Sequence, residues 1–513
     1  MLSAKSILAA STLQLLFLLL FLTGASPYCH VRTADECDEE REFVPNYSIA
    51  GKGIDITTLE KKSAVLDLSQ WRKADGTCTL CRNPFLQDKP LQRLPLVAVD
   101  WTAKVNCQRN IHTSLVTSGI EVVHNAASDV KNDWKVGLDV QPKPDQQFQM
   151  TLAGTHSTLA DFTMQKNNED KYNFARHEVS CSYYSFRISQ YILSSHFKHS
   201  LRSLPAKYRP NSHLEYQQLI DTYGTHFINH LHLGGRVRDV TALRVCETAL
   251  DGMSADEVKD CLKLEASANI GGGRGSLSAA YEACEALKKK KSFKGSFRQT
   301  YEERHTDVVG GDQHTDLLFS NSQNPEHFKQ WEESLKSKPA LLSYSLKPIH
   351  SLLPKNDPKR DSLQKAVSDY IRKRALWRNC TQPCPPGSQR SVRDPCSCIC
   401  PNDGSMNTMC CSRERGQSKL TVTIRRAYGL WGDYVTGTDA YVKVSFHGVN
   451  SRTSTVWNNN NPVWMTHLDL GRVQSMGETS KLRIQVWDED NRYDDDLLGT
   501  CDQNPISGEP HIE

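Results

Sequence analysis

The feature that most narrows the fold is the placement of seventeen cysteines in a chain that opens on a secretory leader. Lys5 precedes an apolar run, Ile7–Leu22, and the small residues Gly24, Ala25 and Ser26 follow it. That layout predicts a signal peptide over residues 1–26, cleaved near Ser26, and not a permanent span. Exported thiols meet oxidising conditions, so the cysteines read as a disulfide framework. They fall in groups: Cys29, Cys37, Cys78 and Cys81; Cys107 and Cys181; Cys246, Cys261 and Cys284; then a dense run from Cys380 to Cys411; and Cys501 alone. Cys78-x2-Cys81 has no second pair to complete a zinc site. The odd total leaves one thiol over, expected at Cys501. Asn46-Tyr47-Ser48 and Asn379-Cys380-Thr381 are glycosylation acceptors, at Asn46 and Asn379, that suit the same secretory route.

At 513 residues the chain is too long for one core, and several domains are expected. A formal charge of +3 with a pI near 8 gives no reason to expect a nucleic-acid partner. Beyond the leader no stretch is apolar enough to cross a bilayer as a helix, so any crossing falls to strands. No G-x-S-x-G, H-E-x-x-H or other nucleophile–base pattern is present; the reading assigns no catalytic residue and no enzyme activity.

The stretch Tyr216–Gly235, YQQLIDTYGTHFINHLHLGG, organises the first part of the chain. Leu219, Ile220 and Tyr223 share one face of a helix. Gly224 suits a left-handed helix terminus, and Gly234-Gly235 is expected to turn the chain before a strand over Arg236–Val245. By itself this is a packed helix-to-strand corner without chemistry. His226, His230 and His232 have no acidic ligand at a useful spacing. The pattern Tyr216-x6-Tyr223-Gly224-Thr225-His226-Phe227, however, resembles the signature of the membrane-attack-complex/perforin family. That resemblance implies subunits that assemble into rings and insert β-hairpins into membranes.

Strands are expected over Leu94–Val105, Trp134–Val140, Gln146–Leu152 and Val179–Ile188, with a charged helical stretch after Gly154. The order repeats. Leu264, Ala266, Ala268 and Ile270 alternate with polar residues, Gly271–Gly275 breaks the run, a helical cluster reaches Lys288–Lys291, and Phe293, Gly295, Phe297 and Tyr301 alternate again. Two such blocks are what the family resemblance implies for the segments near 146–188 and 264–301. Backbone groups find no partners in hydrocarbon, so such ribbons span only as a closed barrel, with roughly 10 residues per strand. In a soluble chain they must first hide as helices, because long exposed apolar strands aggregate. By resemblance Gly310-Gly311 is a hinge under a bent sheet. The resemblance also implies bridges Cys29–Cys81, Cys37–Cys78, Cys107–Cys181 and Cys261–Cys284. Asp357-Pro358 then opens a helix that is expected to run to Trp377.

From Cys380 to Cys411 the chain has almost no apolar core and needs covalent staples. The spacing leaves many connectivities open. It resembles an epidermal-growth-factor-like module, which implies Cys380–Cys396, Cys384–Cys398 and Cys400–Cys410, with Cys411 returning to Cys246. Two later loops, GLWGDYVTGTDAYVKVSF and WDEDNRYDDDLLGT, crowd carboxylates that repel one another without a cation. Oxygen ligands in flexible loops select Ca²⁺. The spacing resembles the calcium-dependent phospholipid-binding sandwich first described in protein kinase C. By that resemblance the ligands are Asp433, Asp439, Asp488, Asp490 and Asp496, with Asp495 beside them. Trp431, Tyr434 and Tyr493 on the same loops suit a membrane interface. Calcium affinity is expected on the order of 10⁻⁴ to 10⁻³ M, opposed by acid.

The expected fold is α+β. A bent, twisted antiparallel sheet flanked by helical clusters fills residues 27–378, an EGF-like module 379–416, and a calcium-binding all-β sandwich 417–513. The sandwich family needs a further strand after Cys501, so the resemblance implies an incomplete C-terminus and a lost partner for that thiol. The expected function is a secreted cytolytic pore-former that docks on the target-cell phospholipid membrane with Ca²⁺, forms a homo-oligomeric ring and inserts two hairpins per subunit. By resemblance it would be stored in cytolytic granules of lymphocytes and deliver granule proteases. A non-lytic adhesion or signalling protein on the same scaffold is the alternative.

Overall fold

The structure, a computed structural model, describes residues 28–140, 148–271, 278–290, 296–312, 317–320, 324–381, 383–384, 388–392, 396–404, 406–415, 417–432, 436–474, 481–490 and 495–504. The leader, the residues 272–275 of the glycine run, Lys291, Phe293 and Gly295, and Asp433, Tyr434 and Tyr493 lie outside them. The chain divides into two compact units: Met1–Arg244 with Ser254–Gln382, and Val245–Met253 with Pro383–Glu513.

The first unit is organised on one antiparallel sheet. In chain order its elements are β1 (Lys52–Asp55), β2 (Glu60–Ala64), β3 (Ala98–Val116), α1 (Gly119–Ala126), β4 (Phe148–Thr151), α2 (Thr158–Glu169), β5 (Tyr172–Ile188), α3 (His213–Tyr223), β6 (His226–Arg244), α4 (Ala255–Asn269), α5 (Ser278–Lys290), α6 (Phe297–Thr300), β7 (Arg304–Val309), α7 (Pro325–Ser334), β8 (Ala340–Pro348), α8 (Pro358–Lys373) and β9 (Leu376–Asn379). Among the described residues seven strands form the sheet, in the order β2-β1-β6-β5-β3, with β7 and β8 also on β6. Residues 230–234 of β6 pair with both β5 and β8, and residues 236–241 with both β5 and β7. The strand is therefore bonded along both edges, and eighteen of its nineteen residues are buried or half-buried.

Two helical blocks interrupt the long strands. The first, α1 and α2, packs Val122, Ala126 and Leu159 on Val116, Phe174, Val240 and Ala242. The second, α4 to α6, lays Val258, Cys261, Leu262 and Ala266 against the sheet. There the His177 ring of β5 meets the Lys259 carbonyl of α4 at 3.0 Å. Phe174 and His177 are three residues apart on one strand and so point to opposite faces. The blocks occupy the two faces of the same sheet.

Several sequence expectations change at this level. Leu264–Ile270 and Phe297–Tyr301 are not strands in this structure. The first closes α4, whose Ser254–Glu257 capping box and buried Val258, Cys261, Leu262 and Ala266 follow a helical period. The second is α6, with its first amides bonded to Glu265 Oε1 (2.8 Å) and Oε2 (3.0 Å). Trp134–Val140 forms turns; Trp134, Leu138 and Val140 are buried without strand pairing, and Val136 is exposed. Tyr172–Ile188 is already sheet and Phe148–Thr151 is strand β4, so in the described part of the first ribbon only residues 152–171 are helical or looped. The α8 helix ends at Lys373, and Trp377 sits on β9, paired with Met150 of β4.

Gly234-Gly235 does not turn the chain. Both lie inside β6, where the sheet is crowded from either side. A Cβ on Gly234 would stand 1.9 Å from the Cys181 carbonyl oxygen, and one on Gly235 would stand 2.3 Å from Leu335 Cδ2. Gly310 and Gly311 join the same spot with φ of +79° and +71°, and the Trp331 indole of α7 donates to the Gly310 carbonyl at 2.9 Å. Cys107–Cys181 cross-links β3 to β5 beside it.

The second unit holds the cysteine-rich segment and a sandwich. β10 (Gln389–Arg390) pairs with β11 (Cys398–Ile399). β12 (Gln417–Arg426) pairs with β15 (Val463–Gln474), and β14 (Val449–Arg452), β13 (Ala440–Phe446), β16 (Leu482–Asp488) and β17 (Asp496–Gln503) form a second sheet in that order. Val442, Val444, Phe446, Leu468, Leu470, Val473 and Leu482 fill the space between them. The disulfides are Cys29–Cys81, Cys37–Cys78, Cys107–Cys181, Cys246–Cys411, Cys261–Cys284, Cys384–Cys398 and Cys400–Cys410; Cys380 and Cys396 are also bonded, and Cys501 is a free thiol.

The glycine cluster gives a direct test. In Gly234→Ala the obstacle is backbone, which cannot swing aside, and a loss of about 3 kcal/mol or more is expected. In Gly235→Ala the obstacles are the Leu335 and Trp331 side chains, which can shift, so the loss should be smaller. Urea unfolding of both variants checks the order; equal losses would contradict it.

Candidate functional site

The signature residues build the corner where α3 enters β6. Tyr216 is fully buried and its hydroxyl donates to the Pro205 carbonyl at 2.8 Å. Tyr223 stacks edge-on with Phe197 and shares a hydrogen bond with Ser200. Gly224 has φ +81° and ψ −174°, a region open to glycine alone, in place of the left-handed helical cap expected; a Cβ would meet the Ile54 backbone at 2.6 Å. His226 is sealed in. Its Nε2 faces the Trp134 carbonyl at 3.0 Å, which only accepts, so Nε2 carries the proton and Nδ1 accepts from Thr225 Oγ1 at 2.8 Å. Thr225 Oγ1 in turn accepts from the Ile56 amide at 3.0 Å. Phe227 is fully buried against Tyr191. These residues pin α3, β1 and the Trp134 turn to the start of the central strand.

Burial holds the corner histidine neutral: its pKa falls to about 3, and that of His177 under α4 falls to about 4. Among the described residues His226, His230 and His232 join no metal-ligating group. Among the described residues the one candidate triad is Cys107, Cys181 and Glu332, and its two cysteines are bonded to each other.

A buried charge cluster ties the first helical block to the sheet. Arg236 and Arg238 of β6 have side chains 7% and 6% exposed. Asp129, just after α1, bonds Arg236 at 2.5 Å and Arg238 at 3.3 Å. Arg236 also reaches Asp307 of β7 at 3.0 Å, and Glu178 of β5 takes Arg238 and Arg176, each at 2.5 Å. Burial works against the Glu178 charge, but Arg238, Arg176 and Arg236 outweigh it and draw the pKa down to about 2. The following residues 130–132 are stitched to β8: Asn132 exchanges two 2.8 Å bonds with the Leu346 backbone. Nothing in the hydrophobic pattern marks Asp129; only its tertiary partners do.

In the second unit, strand register gathers the acidic residues at one end of a sheet. Ala440 pairs with Asp488, and Asp488 with Asp496. Asp488 is 1% exposed and its Oδ1 accepts the Asp439 amide at 2.7 Å. A Cβ on Gly432 would fall 1.7 Å from Asp488 Oδ2, so the loop backbone closes directly over that carboxylate. Asp495 accepts from the Tyr441 hydroxyl at 2.9 Å and from the Asp490 amide at 3.3 Å. Asp496 and Asp490 are exposed. Among the described residues no three of these carboxylates have ligand atoms within 4.8 Å of one another. An all-oxygen donor set with a glycine-lined approach fits a hard divalent cation. Trp431 is 64% exposed. The acceptor Asn46 is exposed, with its Nδ2 donating to the Pro339 carbonyl; Asn379 is exposed, with Oδ1 receiving the Thr381 amide at 2.9 Å.

Sequence reading missed the run Asn458–Asn461. The Asn458 amide donates to Asp439 Oδ1 at 2.5 Å, Asn458 Oδ1 receives the Gly437 amide at 2.6 Å, and Asn460 Oδ1 receives the Thr438 amide at 2.9 Å. Four consecutive asparagines before Pro462 were the available signal, since asparagine favours such turns.

A twisted sheet carrying a helical block on each face, followed by a stapled segment and an acidic-looped sandwich, defines a class. Family models match in the same order: the MAC/Perforin domain over residues 42–379, the Perforin-1-like EGF domain over 379–413 and the C2 domain over 418–505. The chain belongs to the membrane-attack-complex/perforin family. It is 47% identical to Perforin-1 of Homo sapiens, covering 94% of this chain and 88% of that one, and 46% identical to Perforin-1 of Rattus norvegicus, covering 96% and 89%. Complement component C8 beta chain of Paralichthys olivaceus is 26% identical over 50% of this chain and 44% of that one.

The neutral buried histidines set a pH dependence. The unfolded chain protonates them near 6.5, the folded one only near 4 for His177 and 3 for His226. Stability is complete above pH 6.5 and falls on acidification, by about 1.4 kcal/mol per pH unit for each until its folded value is reached. Urea midpoints should decline steadily through that window, and His177→Gln should reduce the slope; a midpoint that stays level down to the folded values would contradict this.

Proposed function

We propose that the protein is a secreted cytolytic pore-former, which docks on phospholipid membranes with Ca²⁺, assembles into rings and inserts two β-hairpins per subunit. The observation that carries this is the pair of helical blocks on opposite faces of one sheet, each set between strands that already pair. β3 and β5 flank the first, β6 and β7 the second. Each block can lengthen its flanking strands without breaking the sheet. Ring neighbours would supply the edge partners that a hydrocarbon environment demands. Gly310-Gly311, beside Gly234-Gly235, is the hinge that lets the sheet change its bend, because those positions carry no side chain to lock it.

Asp439, Asp488, Asp490, Asp495 and Asp496, together with Asp433, would hold Ca²⁺, which supplies positive charge that cancels the carboxylates and bridges lipid phosphates. Trp431, Tyr434 and Tyr493 would contact the membrane interface. Granule storage in lymphocytes and delivery of granule proteases complete the reading, supported by identity to the Perforin-1 proteins over nearly the whole chain.

Two measurements test it. Calcein release from phosphatidylcholine vesicles should require calcium and stop with chelator, and Asp439→Asn should raise the calcium midpoint about tenfold, since affinity in such loops follows ligand charge. A disulfide engineered between α4 and β5 should abolish release when formed, while either single-cysteine variant retains it. Release by the cross-linked protein would refute hairpin insertion from the second block.

A further inference from the structure

Trp457 is 64% exposed, as exposed as Trp431, yet it lies on a different loop, between β14 and β15, that carries no carboxylate. A tryptophan held out in water leaves its largest apolar surface uncovered while the rest of the sandwich packs a closed core. Its setting is rigid. Val456 on its N-terminal side bridges Ala440 through two backbone hydrogen bonds of 3.0 and 2.9 Å. On its C-terminal side the asparagine run grips both limbs of the acidic loop. The Asn459 amide donates to the Thr438 carbonyl at 2.8 Å, the Leu430 amide to the Asn460 carbonyl at 2.9 Å, and the Gly429 amide to Asn461 Oδ1 at 2.9 Å. The residue after Trp457 donates its amide to Asp439, a residue of the acidic end itself.

We propose that Trp457 is a further membrane anchor, inserted at the headgroup–acyl boundary of a phospholipid bilayer by a loop clamped to the acidic loop through Asn458–Asn461. The inference rests on the calcium-dependent docking proposed above and extends it to a loop that holds no metal ligand. Three features favour lipid as the occupant. The loop is continuous, by direct hydrogen bonds, with the loop of Trp431 and Asp439. An indole suits an interface that is apolar on one side and wet on the other. A side chain presented on a fixed loop loses little further backbone freedom on insertion. The clamp also explains why four asparagines stand together: Asn458, Asn460 and Asn461 accept from backbone amides of the neighbouring loop, and Asn459 donates its own amide to the Thr438 carbonyl.

The test uses the full chain and vesicles of phosphatidylcholine and phosphatidylserine, half of them made with brominated acyl chains. Trp457→Ala should weaken calcium-dependent co-sedimentation about tenfold, the scale of one well-placed aromatic anchor. Calcium binding without vesicles and the melting temperature should not move. Trp457→Phe should restore most of the binding but lose part of the bromolipid-quenched indole emission. Parent protein that binds vesicles with calcium, alongside a Trp457→Ala variant that binds equally and a Trp457→Phe variant that loses no quenching, would overturn the anchor and leave the docking reading intact. Loss of binding accompanied by lost calcium affinity would also overturn it, by making the loop a structural clamp only. Parent protein that ignores vesicles in calcium would sink the docking reading itself and the anchor with it.

Discussion

Two guanidinium groups buried in the middle of a sheet are the condition around which the first unit is arranged. Arg236 and Arg238 would each cost several kcal/mol if left without partners in that position. They are tolerated because Asp129, Glu178 and Asp307 reach them from three different segments. Two of those segments are strands paired with β6. The third, around Asp129, belongs to the first helical block. The arginines are thus compensated both by strands of the sheet and by a segment that the proposed insertion would remove.

The same sheet explains why the signature corner is so densely bonded. A strand that serves β5 on one edge and β7 and β8 on the other must start in register, because a slip of one residue would turn Arg236 and Arg238 to the opposite face. Thr225 and His226 fix that start through bonds to Ile56 and Trp134, with the imidazole kept neutral by burial. Further along β6, Gly234 and Gly310 meet backbone closely, and Gly235 and Gly311 meet the side chains of α7 and Leu335. The start of β6 is fixed by hydrogen bonds, and at Gly234-Gly235 the strand carries no side chain.

In the second unit, order comes from a different source. The first acidic loop is held from outside by an asparagine run that donates and accepts at its backbone, and the Asp439 amide in turn bonds Asp488 at the start of the second. Strand register places Asp488 and Asp496 at one end of the same sheet. Trp431 and Trp457 stand exposed on the two loops that the run joins.

Composition and spacing were enough to establish an exported, disulfide-stapled, multidomain chain, the corner at Tyr216–Phe227, the helix after Asp357 and the acidic loops, because each is encoded by local chemistry: thiols in an oxidising compartment, a glycine-only backbone angle, an N-cap, crowded carboxylates. Tertiary structure alone decided the rest. Leu264–Ile270 alternates like a strand, but its neighbours from Ser254 onward follow a helical period, and which pattern prevails depends on the sheet face available to bury it. Gly234-Gly235 reads as a turn until the Cys181 carbonyl and Leu335 are seen pressing on it from either side. Asp129 carries no local mark, since a partner more than a hundred residues away gives it its role, and the asparagine run, itself a turn signal, gains its hold on Asp439 only because the fold brings that loop to it.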